Sequence, residues 1–189
     1  MSPFTHGLLS WLIADALPTD RRGRIAVTIA GVAPDLDGLG APVEMLSDGR
    51  LPWFTEYHHV IMHNGLGTIV IAGVAWLVCR RDWRVGLAAL AAGHLHLLCD
   101  LVGSRGPDGH NWTIPYFVPF SHDQLSWSGQ WALNAWPNLL ITVVSLVWIS
   151  WLATRRGRSP LEMVSLRADA AVVDRLRAWW RYRASASPR

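Results

Sequence analysis

Apolar runs bounded by short arginine clusters set the pattern of this chain. The three most hydrophobic runs are residues 64–79, 85–102 and 132–153, and each lies beside an arginine cluster. Two shorter runs, 7–17 and 24–34, come first, and at about eleven residues each they fall short of the roughly 20 that cross a bilayer. The pattern predicts an all-α, membrane-embedded helical bundle with three stronger hydrophobic helices and two short N-terminal helices.

The remaining segments have a different character. Residues 38–57 and 103–131 are rich in Gly, Pro and Ser, which predicts loops. Ser159 to Glu162 has the residues of a capping box, and apolar positions then recur at helical spacing among arginines. We therefore expect a membrane-embedded domain over 1–158, a basic amphipathic helix over 159–183 and a disordered tail over 184–189. The amphipathic helix could lie on the inner membrane surface or pack on the domain.

Composition favours a membrane protein. The chain of 189 residues is 51% hydrophobic and 16% charged, whereas about 25% charged is ordinary for a soluble domain. Many of its 12 tryptophans lie at the ends of apolar runs, as in an interfacial aromatic belt. Arginines punctuate the apolar runs rather than form one basic face, which indicates cytoplasmic loop charge, so no nucleic-acid partner is expected. Cys79 and Cys99 lie inside apolar runs without a Cys-x-x-Cys partner, which predicts buried thiols.

Histidines and aspartates form the candidate chemistry of this chain. Ionisable groups within apolar segments are costly, so function is their default explanation. Nitrogen and oxygen donors in this mixture suit a divalent ion such as zinc or manganese. Seven donors exceed the three or four of a single catalytic zinc site, so one or two ions are expected. The candidate ligands are His6, Asp35, Asp37, His58, His63, His96 and Asp100.

These seven residues occur at four places that we expect to meet. If each arginine cluster marks the cytoplasmic end of its neighbouring helix, every candidate ligand lies at the opposite end. The site is then on the non-cytoplasmic side of a multi-pass membrane protein. His96 and Asp100 are four residues apart and share one helix face. Asp35 and Asp37, in an extended turn, would point to opposite sides, so that one ligates while the other orients a histidine, binds a second ion or acts as a base.

Packing alone offers other interpretations. His94, His110 and His122 are expected to be hydrogen-bonded core residues. Asp100 could pair with Arg105 instead of a metal ion, and Arg105 could be a surface charge.

Several motifs resemble a bacterial family. Thr5-His6, Pro34-Asp35-Leu36-Asp37, the spaced pair His58 and His63, and His96 to Asp100 followed by Gly103 are similar to the inner-membrane-associated metal-dependent hydrolases, also described as LexA-binding membrane hydrolases. The resemblance covers roughly residues 1–125, including the tract Trp112 to Ser121. The family's middle motif usually reads His-Arg-Gly-x-Thr-His-Ser, and here only the histidine spacing is kept. The resemblance implies an all-helical membrane hydrolase.

The leading hypothesis is therefore metal-dependent hydrolysis. Asp37 would accept a proton from the attacking water, and Arg105 would contact an anionic group such as a phosphate. A site at the membrane boundary suggests a small-molecule or lipid-linked ester or phosphoester substrate. The alternatives are a non-catalytic metal-binding or ion-transporting membrane protein, and a structural module in which the polar residues hold short helices together.

Overall fold

The computed structural model of the protein describes residues 1–54, 58, 61–106 and 109–186, which form an all-helical bundle. The order of elements is α1 (Pro3–Ala16), α2 (Arg21–Val32), a 3-10 turn (Ala33–Leu39), α3 (Gly40–Leu46), α4 (Gly65–Val78), α5 (Trp83–Gly103), α6 (Trp136–Arg156), a second 3-10 turn (Pro160–Met163) and α7 (Leu166–Ala186). The predicted all-α class is confirmed.

Short polar side chains begin most of these helices. The Ser2 hydroxyl accepts from the Thr5 amide at the start of α1, and the Asp20 carboxylate accepts from the Gly23 amide at the start of α2. Asn64 caps α4 in the same way. Such caps satisfy backbone N–H groups that the first helical turn leaves without partners. Asn64 therefore has a structural role at the start of α4.

Two helices of the described chain are long and apolar enough to cross a membrane. These are α5 and α6, each of 21 residues. The third expected hydrophobic helix, α4, has 14 residues and is about 21 Å long, less than the roughly 30 Å of a hydrocarbon core. Helix α6 begins at Trp136 rather than near residue 132, because Pro137 stands in its first turn, where proline is tolerated.

Small side chains bring the helices close together around α5. The core between α1, α2, α4 and α5 is rich in alanine, including Ala14, Ala30, Ala72 and Ala92. A Cβ atom at Gly31 would lie 1.8 Å from Ser10 Oγ, so only glycine permits the observed approach of α1 and α2. This approach also leaves the Gly31 carbonyl beside α5.

Ion pairs to a buried carboxylate join the C-terminal segment to the bundle. Asp15 at the end of α1 accepts from Arg156 at 2.6 Å and from Arg158 at 2.7 Å. Arg24 donates two hydrogen bonds to Glu162, at 2.5 and 2.7 Å. We call this region, where α1 and α6 end and α2 begins, the arginine end of the bundle.

Three local predictions differ from the structure. The expected loop 38–57 contains helix α3, which follows directly from the 3-10 turn, and its residues 55–57 lie outside the described residues. Glu162 does not complete a capping box, because its carboxylate binds Arg24 and the segment forms a 3-10 turn before α7 begins at Leu166. Asp35 and Asp37 lie in a 3-10 turn rather than an extended one, since Pro34 fits its first positions.

The C-terminal helix packs on the end of α6. Val173 is buried, and Arg177 donates to the Thr154 carbonyl at 3.0 Å. Trp179 and Trp180 remain exposed. Of the tail predicted to be disordered, 184–189, residues 187–189 lie outside the described residues.

Candidate metal centre

Five of the candidate ligands lie together at the end of the bundle opposite the arginine end. Helix α1 supplies one, the 3-10 turn after α2 another, the residue before the α4 cap a third, and α5 the last two. We call them the inner donor set: His6, Asp35, His63, His96 and Asp100. One donor atom from each of His6, Asp35, His96 and Asp100 lies within 4.8 Å of the others.

Four members of this set, His63, His96, Asp35 and Asp100, have donor atoms at distances expected of ligands around one ion. His96 Nε2 lies 3.1 Å from Asp100 Oδ2 and 3.7 Å from Asp35 Oδ1. His63 Nε2 lies 3.2 Å from His96 Nε2, 3.5 Å from Asp100 Oδ2 and 3.9 Å from Asp35 Oδ1. Four ligands at the usual bond length of zinc stand about 3.3–3.4 Å apart in a tetrahedron. The observed separations bracket that value.

Hydrogen bonds on the far side of each ring orient the imidazoles. His96 Nδ1 donates to the Gly31 carbonyl at 2.8 Å, and His63 Nδ1 donates to Asp37 Oδ2 at 3.0 Å. These partners assign the proton of each neutral ring to Nδ1 and leave a lone pair on Nε2. Two such lone pairs face each other across 3.2 Å. This arrangement is repulsive unless a cation or a proton lies between them.

The pKa shifts of His63 and His6 agree with the need for a positive charge between the two Nε2 atoms. Burial alone would lower the pKa of His63, but hydrogen bonds to Asp100 and Asp37 outweigh it and raise the pKa to about 9. Burial lowers the pKa of His6 despite the neighbouring Asp100, which favours the neutral ring that can ligate an ion. Positive charge is therefore favoured beside His63, where a divalent ion would be held.

Two buried polar atoms support the fit. In the described part of the chain, His6 Nδ1 and Asp35 Oδ2 have no hydrogen-bond partner. Buried polar atoms are rarely left so, because an unmade hydrogen bond costs about 1–3 kcal/mol. The His6 ring also stacks on His96, with centroids 3.8 Å apart. The nitrogen and oxygen donors present fit a divalent ion of the zinc or manganese kind.

Asp37 and His58 form an outer pair behind His63. Both oxygens of Asp37 accept from imidazoles, from His58 Nδ1 at 2.8 Å and from His63 Nδ1 at 3.0 Å. Burial alone would raise the pKa of Asp37, but these hydrogen bonds lower that pKa well below its ordinary value. The His58 ring lies between Phe54 and Trp112. Asp37 is therefore placed to orient His63.

Asp100 makes its contacts within the centre. Its Oδ1 receives hydrogen bonds from the N-terminal amine of Met1 and from the Ser104 hydroxyl, and it lies 3.2 Å from His6 Nε2. In the described chain it does not pair with Arg105. Arg105 follows the end of α5 by two residues, and its amide donates to the Trp131 carbonyl.

The other histidines have structural or exposed positions. His94 behaves as expected of a core histidine, with hydrogen bonds from Nδ1 to Leu90 at 2.9 Å and between Nε2 and Tyr116 at 3.0 Å. The same prediction is wrong for His110 and His122, which are exposed because they lie in the polar loop rather than in an apolar run. Cys79 and Cys99 are free and buried, as predicted.

Two residues of the centre were not anticipated. Ser104 extends the four-residue spacing from His96 through Asp100, a signal that could have identified it. Gln130 is fully buried and donates to the carbonyls of Asp100 and Trp112, which fastens the long loop to the end of α5. A single glutamine within a loop gives no sequence signal of this kind.

Comparison with known families places the chain in the inner membrane. The sequence profile described as YdjM inner membrane protein matches residues 1–173. The chain belongs to this family. Comparisons with curated proteins and with solved structures find no match. Family membership, together with the apolar helices α5 and α6, makes this an inner membrane protein associated with the lipid bilayer. Its His/Asp cluster is a group that could hold a metal ion.

Proposed function

We propose that this protein is a membrane-bound, metal-dependent hydrolase. The observation that carries the proposal is the inner donor set at one end of the bundle: donor atoms of His63, His96, Asp35 and Asp100 approach one another to 3.1–3.9 Å, and those of His6, Asp35, His96 and Asp100 lie within 4.8 Å of one another. His6, Asp35, His63, His96 and Asp100 would hold a divalent ion, zinc or manganese by donor type. When bound, such an ion acts as a Lewis acid and lowers the pKa of water towards neutrality.

Asp37, His58 and Arg105, which lie outside the inner donor set, have different roles in this proposal. Asp37 is a positioning residue, because both of its oxygens already accept hydrogen bonds and its pKa is lowered. It is thus better suited to hold His63 than to accept a proton, the role first expected of it. His58 and Asp37 remain candidates to hold a second ion. Arg105 is the candidate contact for an anionic substrate group, since a guanidinium binds phosphate oxygens in a forked geometry.

The arginine end is proposed to face the cytoplasm. Arginine clusters lie at the start of α2, between α4 and α5, and at the end of α6. Cytoplasmic loops carry an excess of such residues. The inner donor set would then open towards the non-cytoplasmic side of a multi-pass protein, where a lipid ester or phosphoester could reach it.

A second candidate is a non-catalytic metal-binding or ion-transporting membrane protein. Burial favours it, since the side chains of His63 and His96 are 0% exposed and that of Asp35 is 16% exposed. An ion enclosed on all sides holds structure together but performs no hydrolysis.

Metal content and hydrolysis, measured together, separate these functions. His96→Ala and Asp100→Ala should each lose bound zinc or manganese and any hydrolysis of nitrophenyl ester or phosphoester substrates. His122→Ala is the matched control, because His122 is exposed on the loop. His96→Gln serves if the alanine variant does not fold. Full metal content in the folded His96 and Asp100 variants would refute the site, and bound metal without hydrolysis would favour the second candidate.

A further inference from the structure

An apolar groove runs along the outer side of α1 and α2. It encloses about 460 Å³ and lies between the 3-10 turn that follows α2 and the turn Pro160–Met163. Phe4, Ile29 and Leu36 border it, and each of them is at least half exposed. We call it the α1–α2 groove.

The groove is lined almost entirely by apolar side chains. Thr28 belongs to its lining, but the Thr28 hydroxyl already donates to the Arg24 carbonyl at 2.9 Å. In a protein of the inner membrane, an apolar concavity on the outer side of the bundle takes up hydrocarbon, because a polar occupant would lose its hydrogen bonds with water there.

The two ends of the groove differ. At one end, Gly7 directly follows His6 and Leu36 directly follows Asp35, so the lining lies one residue, about 3.8 Å of backbone, from two members of the inner donor set. Pro160 and Met163 also line the groove, from a turn that the ion pair of Glu162 with Arg24 holds in place. An occupant would therefore lie beside the donor set at one end and against this turn elsewhere.

The size of the groove favours a single chain over a helix. An α-helix with side chains is about 10–12 Å wide, so a volume of 460 Å³ would hold only about one helical turn. An extended hydrocarbon chain is much thinner and could follow the groove from Leu36 to Met163.

We propose that the α1–α2 groove binds the hydrocarbon chain of a lipid ester or phosphoester, with the polar end of that lipid at the inner donor set. The inference rests on the proposed hydrolase function for its chemistry, while the chain-binding groove itself can be tested separately. It assigns a long-chain amphiphile, rather than a water-soluble ester, as the substrate class.

Two glycines provide a matched pair of variants. A Cβ at Gly7 would make ordinary contact, 3.6 Å from Val32, so the Cβ of Gly7→Leu fits without displacing the backbone, and we expect the rest of its side chain to enter the groove that Gly7 lines. A Cβ at Gly73, in the interior of α4, would meet nothing within 4 Å. Both variants replace glycine within a helix by leucine, and only the first fills the groove.

The first experiment uses the full chain in phosphatidylcholine nanodiscs with a photoreactive diazirine palmitate. We expect saturable cross-links to peptides that contain Phe4, Ile29 and Leu36. Each methylene kept out of the groove should weaken binding by about fourfold, so two excluded methylenes should lower the labelling of Gly7→Leu by about tenfold or more. Gly73→Leu should label like the original chain. Non-saturable labelling, or equal labelling of the Gly7→Leu and Gly73→Leu variants, would overturn the proposal. A change of oligomeric state in Gly7→Leu without a change in labelling would also overturn it.

The second experiment compares nitrophenyl esters from acetate to palmitate. The ratio of kcat/KM for the long ester to that for the short ester should fall by about tenfold in Gly7→Leu and stay the same in Gly73→Leu. If no ester or phosphoester is hydrolysed, the proposed function fails, but the cross-linking result still decides whether the groove binds a hydrocarbon chain. If the esters are hydrolysed with an unchanged ratio in Gly7→Leu, the assigned substrate class is wrong.

Discussion

Replacing Asp37 by asparagine should weaken metal binding without removing a ligand. The Asp37 side chain is 1% exposed and accepts one hydrogen bond from His63 and one from His58. Asparagine keeps the shape and one acceptor oxygen, but its amide group must face one of the two ring N–H groups. One charge-assisted hydrogen bond, with a net value of about 1.5–3 kcal/mol, is therefore lost. Because His63 loses part of its orientation, we expect the metal affinity to fall by about 10–100-fold.

Chelator competition with zinc or manganese on the purified protein measures this change. The number of ions bound at saturation should stay the same, because the inner donor set is complete in the variant. Asp123→Asn is the matched control, since Asp123 is exposed and its carboxylate accepts a hydrogen bond from the Ser121 hydroxyl in the same loop. An unchanged affinity would refute the orienting role, and the loss of one bound ion would show that Asp37 is itself a ligand.

Two further predictions concern charge. Metal affinity should rise by about tenfold per pH unit up to about pH 9 and then level off, because the raised pKa of His63 keeps a proton on the ring that the ion must displace. Isothermal titration calorimetry in buffers of different ionisation enthalpy should show about one proton released per ion bound. An affinity that does not change between pH 6 and 8 would contradict this prediction. Glu162→Gln should destabilise the protein by about 3–5 kcal/mol by leaving the positive charge of the buried Arg24 without its carboxylate partner. Thermal unfolding in detergent measures this loss, and the double variant Arg24→Met/Glu162→Leu should recover most of it; equal stability of all three proteins would show that the ion pair contributes nothing.

The convergence of the donors could be predicted from charge order. Arginine placement assigned one end to each helix, and the structure brings His6, Asp35, His63, His96 and Asp100 together at the opposite end. The five residues could be predicted to meet because the direction of a helix, and which of its ends carries the arginines, are properties of a whole segment. They do not depend on the conformation of any one side chain.

The division into an inner set and an outer pair could not be predicted. It depends on the 3-10 turn at Ala33–Leu39, which directs Asp35 towards His96 and Asp37 towards His58. A Pro-Asp-Leu-Asp sequence is equally compatible with an extended turn. The role of Glu162 was missed for a similar reason: its partner, Arg24, lies far away in the sequence, and local capping rules do not consider such a partner.

The buried carboxylate of Asp15 has a consequence for biogenesis. Its partners, Arg156 and Arg158, are synthesised about 140 residues later, and until then a fully buried anion would stand alone, at a cost of several kcal/mol. We therefore expect α1 to reach its final position only after α6 has been synthesised. His6 lies on the same helix, so the proposed metal site would be completed only after α6 has been synthesised, and a metal ion would have to reach a protein that is already largely assembled.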